Sequence, residues 1–351
     1  MLRRATVQLA VIWVLVSTLG AASEARPSSQ SEVRKGLERG AALRKQTQLV
    51  PGVVQRYALI MKAGGVRCGH AMVTIEAAKG DAGAGAVYKL SEQLKAAMAG
   101  EGESAVIDYD AAFLLGADLG LLSGQMRTHS KLSKPAGTDS QFPNNRKLFP
   151  VSVPVQQELV SQASVAVRDD ALIWELTQSK EDGKDAAPKV AKKFPMHGVR
   201  PIPKNALFGV AAFASAAAKD GWQLDGKESY CVPTLDLGWE MDNFAIGPAW
   251  ITFTPPAPAD PKGSAARMNV RWLVGEIEEK GLQVEPPEPA VWLARQTWPL
   301  DAHCCPLAHP KPDDPRITAE SADPATLDLN TPLDLEKIAA AMKPGTADER
   351  R

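Results

Sequence analysis

VVQRYALIMK, at Val53–Lys62, and VRCGHAMVTIEAA, at Val66–Ala78, are the two segments that decide the fold class. Both are rich in apolar and β-branched residues, and they flank the short turn sequence Ala63-Gly64-Gly65. Two runs of this composition separated by a glycine turn predict a β-hairpin. The body of the chain is therefore expected to begin as antiparallel sheet near Pro51.

Short apolar runs and turns continue toward the C-terminus. Residues 104–109 and 119–129 are strand candidates, and residues 163–168 and 171–178 are separated by Asp169-Asp170, which is typical of a second hairpin. Further runs are separated by Pro and Gly, at residues 229–232, 249–253, 268–275, 281–285 and 290–296. This spacing predicts a mostly antiparallel sheet or half-barrel.

One main helix is predicted near residues 203–218, where PKNALFGVAAFASAAA is rich in alanine and places its larger apolar residues on one face. Residues 87–98 fit either a helix or a strand, because their apolar residues recur at helical spacing within a hairpin context. The expected fold class is therefore β-rich α+β.

Residues 1–25 have the layout of a signal peptide. Arg3 and Arg4 precede an apolar stretch that ends near Gly20, and small residues follow it. The stretch is shorter than the ~20 residues that span a membrane. We expect cleavage between about Ser23 and Arg26, a periplasmic or secreted mature protein, and no transmembrane span in the mature chain.

The remaining chain divides by composition into three parts. Residues 26–50 are predicted to be a basic tether, and residues 51–305 a β-rich body, in which a split into two sub-domains near 150–165 stays open. Residues 306–351 are Pro/Asp-rich and are expected to be largely disordered. Within this tail, Thr331 is the predicted cap of one short helix around residues 333–342.

The charge of the mature chain indicates no nucleic-acid partner. Removal of residues 1–25 takes two Arg and one Glu from 40 basic and 41 acidic residues, which leaves a net charge of −2. Nucleic-acid-binding domains are typically basic. The expected partners are a lipid, a glycan or an envelope protein, bound at a concave β surface.

Two groups of short motifs carry a family resemblance. They are Tyr57-Ala58-Leu59-Ile60 with Gly64-Gly65-Val66 and Gly69, and later Arg271-Trp272-Leu273-Val274 with Gly281-Leu282-Gln283-Val284. Over residues 57–284 the pattern resembles uncharacterised bacterial periplasmic proteins whose strands wrap into a half-barrel, similar in shape to envelope lipoprotein carriers. The resemblance implies a periplasmic half-barrel and supplies no catalytic residues.

The four cysteines, Cys68, Cys231, Cys304 and Cys305, are disulfide candidates in an exported chain. A bond between the adjacent Cys304 and Cys305 would be strained and would leave Cys68 with Cys231. We expect one of the other two pairings, in which each body cysteine joins one of the adjacent pair. The same region, His303, Cys304, Cys305 and His309, is the one constellation that could bind a metal, although its spacing fits no established zinc finger.

No catalytic motif and no cofactor motif is recognisable. Asp108 and Asp110 alternate along a strand, so they could face one side as a carboxylate pair, but such pairs on exposed strands are usually solvated. Two hypotheses result. The first is an exported, non-catalytic binding or scaffold protein, and the alternative is an exported hydrolase or metal-dependent enzyme whose site is dispersed in the sequence.

Overall fold

The computed structural model describes sixteen strands and two helices within the chain of 351 residues. The described residues are 30–46, 55–78, 87–100, 103–134, 155–179, 190–196, 198, 200–203, 229–237, 244–254, 267–273, 275–278, 281–284, 292–299 and 317–342. The strands form sheets of nine, five and two strands. The predicted β-rich, mostly antiparallel fold class is confirmed.

The nine-stranded sheet is an antiparallel meander of β1 to β8 with the last strand of the chain, β16, added beside β1. Its edges are β16 and β8, so the sheet is open and not closed into a barrel. The strands are β1 (Gln55–Ala63), β2 (Val66–Ala77), β3 (Tyr88–Gly100), β4 (Glu103–Leu115), β5 (Leu121–Lys134), β6 (Val155–Arg168), β7 (Ala171–Ser179), β8 (Val190–Pro195) and β16 (Ile317–Ala322).

Two tight turns explain why neighbouring strands pair as the sequence predicts. Gly64 and Gly65 have φ values of 52° and 85° between β1 and β2, and Asp169 and Asp170 have φ values of 48° and 53° between β6 and β7. Positive φ at both central residues gives the turn whose twist matches a hairpin, and Gly and Asp tolerate this conformation best. Both predicted hairpins are confirmed.

Residues 88–100 form strand β3, which settles the helix-or-strand alternative. The strand pairs with β2 on one side and β4 on the other. Its residues alternate between the two faces, since Leu90 and Leu94 are buried whereas Gln93 is exposed. Ladder pairing with two neighbours therefore overrides the helical spacing of the apolar residues.

The second sheet has the order β15-β12-β11-β10-β9, and a separate hairpin joins β13 to β14. The β9–β10 pairing is parallel. The strands are β9 (Ile202–Pro203), β10 (Ser229–Leu237), β11 (Phe244–Thr254), β12 (Arg267–Leu273), β13 (Gly275–Glu278), β14 (Gly281–Val284) and β15 (Trp292–Pro299). Residues 204–218, which hold nearly all of the predicted main helix, lie outside the described residues.

Residues 230–232 of β10 and 249–251 of β11 are buried on both faces of their sheet. Tyr230, Val232 and Ile251 belong to the main core, together with apolar residues of the nine-stranded sheet. Cys231 and Trp250, at the alternate positions, form a second cluster with Val33. Because the side chains of a strand alternate in direction, these two clusters cover opposite faces of the five-stranded sheet.

The second cluster includes helix α1 (Gln30–Gln46), which replaces the basic tether expected over residues 26–50. The buried residues of the helix recur at intervals of three, four and seven, which is the pattern of an amphipathic helix: Val33, Gly36, Gly40, Leu43 and Arg44. The basic residues of the segment are mostly on the exposed face. The segment therefore has an apolar stripe that its basic composition does not reveal.

The last residue of that stripe, Arg44, connects helix α1 to the end of the large sheet. Its side chain is 8% exposed. Its Nη1 donates to the carbonyl oxygen of Arg200 at 2.6 Å, and its Nη2 pairs with the Asp118 carboxylate at 2.9 Å, in the turn between β4 and β5. A buried guanidinium requires such partners, so these contacts hold the last turn of the helix against the turn between β4 and β5.

The C-terminal residues 317–342 are ordered, contrary to the expected disorder of the tail. They contain β16, a run of turns and helix α2 (Leu335–Met342), which confirms the short helix predicted near 333–342. Ile338 of α2 is fully buried. The tail is polar overall, but its few apolar residues are placed where they reach the core.

Two strands of one sheet flank the position near residues 150–165 at which a split into two sub-domains was left open. Strands β5 and β6 pair along their length on either side of this position, so the large sheet continues through it. The change from one sheet to the other comes between Pro195 and Ile202. Even there, both sheets contribute to one hydrophobic core.

Candidate functional site

One face of the large sheet is polar across strands β3 to β7. At the centre of these strands every residue of one row of cross-strand neighbours is exposed: Gln93, Asp110, Arg127, Gln162 and Thr177. The residue before or after each one is buried and faces the core: Glu92, Ala111, Met126, Ala163 and Leu176. The exposed row is therefore a consequence of strand alternation combined with the register of four hairpins.

A second row lies beside the first, two residues along each strand. Its cross-strand neighbours are Ser91, Ala112, Gln125, Ser164 and Glu175. The two rows line an open groove with a volume of about 840 Å³, which we call the polar groove. Ser91, Ala112 and Ser164 are small, and they leave space between the longer side chains.

Two hydrogen bonds within the polar groove link four of its side chains in pairs. Gln93 Nε2 donates to Asp110 Oδ1 at 3.3 Å, and Ser164 Oγ donates to Glu175 Oε2 at 3.4 Å. Arg127 lies directly opposite Asp110 in the ladder. The groove therefore presents amides, hydroxyls, two carboxylates and one guanidinium, a mixture of donors and acceptors with no dominant charge.

A charged row borders the polar groove on the same face. Lys95 Nζ lies 3.5 Å from Asp108 Oδ1, and His129 Nε2 lies 2.5 Å from Glu158 Oε1. Glu158 also forms an ion pair with Lys131. The two aspartates singled out in the sequence thus share a face, as predicted. Asp108 is paired with a lysine and Asp110 with a glutamine amide, which is not the arrangement of an acid–base couple.

On the opposite, core-facing side, Glu92 is 6% exposed and accepts a hydrogen bond from the hydroxyl of Tyr109 at 3.2 Å. Thr128 and Ser161 are also buried on this side. Sequence analysis missed these groups. The available signal was the position of Glu92 between Leu90 and Leu94, where alternation requires an inward side chain.

The predicted disulfide and metal residues are only in part within the described structure. Cys68 lies in the main core and Cys231 in the cluster beneath α1, and both are free thiols. Burial raises the pKa of the Cys68 thiol to about 11, and raises that of Cys231 still further. His303, Cys304, Cys305 and His309 lie outside the described residues, so the disulfide pairing and the metal site stay predictions.

The described part of the chain holds neither a side-chain group suited to a metal ion nor a helix suited to a membrane. No three His, Cys, Asp or Glu side chains gather there in a way that could hold a metal ion. None of the helices described is long and apolar enough to cross a membrane.

Comparison with known proteins identifies a distant structural likeness. No family model matches the sequence, and no curated protein matches it. A solved structure, that of a β-barrel-like protein of domain of unknown function DUF1849 from Brucella abortus, aligns with 68% of this chain and 92% of its own. The aligned residues are 10% identical and the TM-score is 0.33.

Proposed function

We propose that this chain is an exported, non-catalytic binding protein and that the polar groove binds a glycan. The observation that supports the proposal is the continuous exposed surface of amide, hydroxyl and charged side chains across five strands. Ligand sites typically enclose between about 300 and 1,000 Å³. The groove, at about 840 Å³, can accommodate several sugar rings.

The chemistry of the groove favours a hydroxyl-rich ligand. A sugar hydroxyl both donates and accepts hydrogen bonds. It therefore suits a surface that contains the amides of Gln93, Gln125 and Gln162 together with the charged groups of Asp110 and Arg127. The carboxylates accept from ligand hydroxyls, while the guanidinium donates to them. Bonds that involve these ions are stronger than bonds between neutral groups.

The other two expected partners suit this surface less well. Lipid-binding sites are lined predominantly by apolar side chains, and the core of a protein–protein interface is enriched in aromatic residues. The ten residues of the two rows include no aromatic side chain and one apolar residue, Ala112. The other apolar residues that line the groove, Ala111, Met126 and Ala163, are buried and face the core. The groove residues therefore favour the glycan among the three partner classes.

Export is the second part of the proposal, and the Arg3-Arg4 pair followed by an apolar stretch supports it. Mass spectrometry of the protein recovered from the cell envelope or medium should find an N-terminus between Ser23 and Arg26. An intact Met1 in that fraction contradicts export by a cleaved signal.

An array of immobilised oligosaccharides tests the binding function. We expect the mature protein to bind a subset of glycans, and Ala112→Trp, which fills the floor of the groove, to weaken that binding by tenfold or more. Gln162→Ala removes one amide and should weaken it by about 3- to 10-fold, since one hydrogen bond contributes about 0.5–1.5 kcal/mol. If Ala112→Trp disturbs the fold, the loss of glycan binding in Gln162→Ala still tests the proposal.

Lys89→Trp is the matched control. Lys89 is exposed on β3, two residues before Ser91, and does not line the groove. It should bind like the unmodified protein. Absence of binding to every glycan, or equal binding by Ala112→Trp and Lys89→Trp, overturns the proposal.

A further inference from the structure

The C-terminal segment closes one edge of the large sheet. Residues Ala58–Ala63 of β1 pair antiparallel with Ile317–Ala322 of β16, and Lys62 forms an ion pair with Glu320. An edge strand left unpaired is a template for other chains. The chain thus covers the β1 edge with a strand that lies more than 250 residues later in the sequence.

Between β16 and α2 the chain crosses the sheet in a series of turns, residues 323–334, which we call the strap. Asp323 Oδ1 accepts from the Ala325 N–H at 2.9 Å, and Asp328 Oδ1 accepts from the Asn330 N–H at 2.8 Å. These local bonds are Asx-type turns. They keep the strap in shape but do not attach it to the sheet.

Two side chains of β2 attach the strap through its main chain. His70 Nε2 lies 2.7 Å from the carbonyl oxygen of Leu329, and Arg67 Nη2 donates to the carbonyl oxygen of Asp328 at 3.0 Å. Because the carbonyl accepts, His70 carries its proton on Nε2. Its ring is 1% exposed, and Nδ1 is buried without a hydrogen-bond partner in the described structure.

We propose that the strap is an acid-sensitive latch: protonation of His70 at Nδ1 releases residues 317–342 from the sheet and uncovers the β1 edge. The inference is independent of the proposed glycan site. It depends on the buried contact between His70 and Leu329 and on the lack, among the residues that the structure describes, of an acceptor for a second ring proton. A buried donor without an acceptor destabilises the closed arrangement.

The two cations beside His70 act in the same direction, and one carboxylate opposes them. Arg67 lies on the same strand as His70, and Lys95 on β3 is the cross-strand neighbour of His70; both oppose a positive charge on the ring. Asp108 on β4 favours a positive ring but is paired with Lys95. On β1 the residue opposite His70 is the apolar Ile60. In the strap, the Asp328 carboxylate accepts from Asn330 and Thr331.

Burial, foremost, lowers the pKa of His70 in the closed state below the ordinary 6.5 of an exposed ring; the hydrogen bond to Leu329 and the Asp108 carboxylate raise it in part, and the two cations lower it further. The open state binds the proton more readily than the closed state. The closed state therefore loses stability as the pH falls below about 6.5, until the pKa of the closed state is reached. Above about pH 6.5 the closed state keeps its full stability.

Hydrogen–deuterium exchange of the full chain at pH 7.5 and pH 5, corrected for intrinsic exchange rates, tests the latch. We expect amides of Ile317–Met342 and of β1 to exchange at least about fivefold faster at pH 5, given the usual penalty for an unsatisfied buried donor. Peptides from β4 and β5 should keep their protection. Equal loss across the sheet, or no change in the strap, overturns the proposal.

His70→Gln is the decisive variant, because the glutamine amide can still donate to Leu329 but does not titrate. Its strap should exchange equally at both pH values. His129→Gln is the matched control, since His129 lies on the same face but pairs with Glu158. It should retain the pH dependence of the unmodified chain. Persistence of that dependence in His70→Gln contradicts the latch.

Discussion

Gly40 lies where helix α1 meets the backbone of β10. A Cβ atom at this position would overlap the carbonyl oxygen of Cys231, and one at Gly36 would lie 2.7 Å from the ring of Trp250. Two glycines four residues apart on one helical face therefore let the helix approach the strand closely. The two glycines also lower the intrinsic stability of the helix, because glycine has a low helix propensity.

Gly40→Ala should lower the free energy of unfolding by about 1–3 kcal/mol, because the added methyl group must displace backbone atoms. Chemical denaturation of the mature protein measures this change. Lys35→Ala is the control on the exposed face of the same helix, and we expect it to stay within about 0.5 kcal/mol of the unmodified protein. Equal stability of Gly40→Ala and the unmodified protein would show that α1 does not pack on β10.

The two buried thiols give a second prediction at this scale. In the reduced, folded protein, Cys68 and Cys231 should resist alkylation at pH 8, because burial raises both pKa values and leaves little reactive thiolate. Both should react in denaturant. Rapid native alkylation of Cys231 contradicts its position beneath α1, and non-reducing peptide mapping of the exported protein decides the disulfide pairing.

Among the elements, the hairpins were predictable because their signals are local. Alternating apolar residues and the turn pairs Gly64-Gly65 and Asp169-Asp170 fix both the strands and their register within a short stretch. Strand β3 was ambiguous, since its apolar spacing fits two periods and only its neighbours decide between them. Helix α1 was not predicted, because the many charged residues of its segment obscure the apolar residues that recur at helical spacing.

The cap of helix α2 shows the limit of such local signals. The helix was predicted, but with Thr331 as its cap. In the structure Asp334 Oδ1 accepts from the Lys337 N–H at 3.1 Å, whereas Thr331 Oγ1 donates to Asp328 within the strap. Both residue types cap helices, so composition alone could not choose between them.

Replacement of the true cap should loosen the helix. In Asp334→Ala the amides of Leu335–Met342 should exchange faster at neutral pH, because the Lys337 N–H loses its acceptor. Asp334→Ser should restore most of the protection, and Thr331→Ala should leave α2 unchanged. The bond to Lys337 lowers the pKa of Asp334, so the cap's contribution should disappear only in strong acid. Fraying of α2 in Thr331→Ala alone would contradict this assignment.

At the scale of the whole molecule, closure of the β1 edge by β16 could not be predicted. The two strands are distant in sequence, and no local pattern states which strand pairs with which. The polar groove was hidden for the same reason. Its rows collect residues from five strands, and only Asp110 stood out in the sequence, so the groove exists only once the register is known.

Deletion of residues 317–351 should lower the melting temperature and cause self-association, because it exposes the β1 edge and the apolar residues beneath α2. Light scattering coupled to size-exclusion chromatography measures the association. The control is deletion of residues 343–351 alone, which leaves β16 and α2 in place and should stay monodisperse like the full chain. Identical behaviour of the two deletions contradicts the role of the C-terminal segment.

Amide chemical shifts test most directly whether the polar groove is a ligand site. The mature protein is titrated with the oligosaccharide that binds most tightly on the array. We expect the largest shift changes at the exposed row, Gln93, Asp110, Arg127, Gln162 and Thr177, with little change in α1 or β10. Shift changes confined to residues outside β3–β7, or none at saturating glycan, would contradict the account.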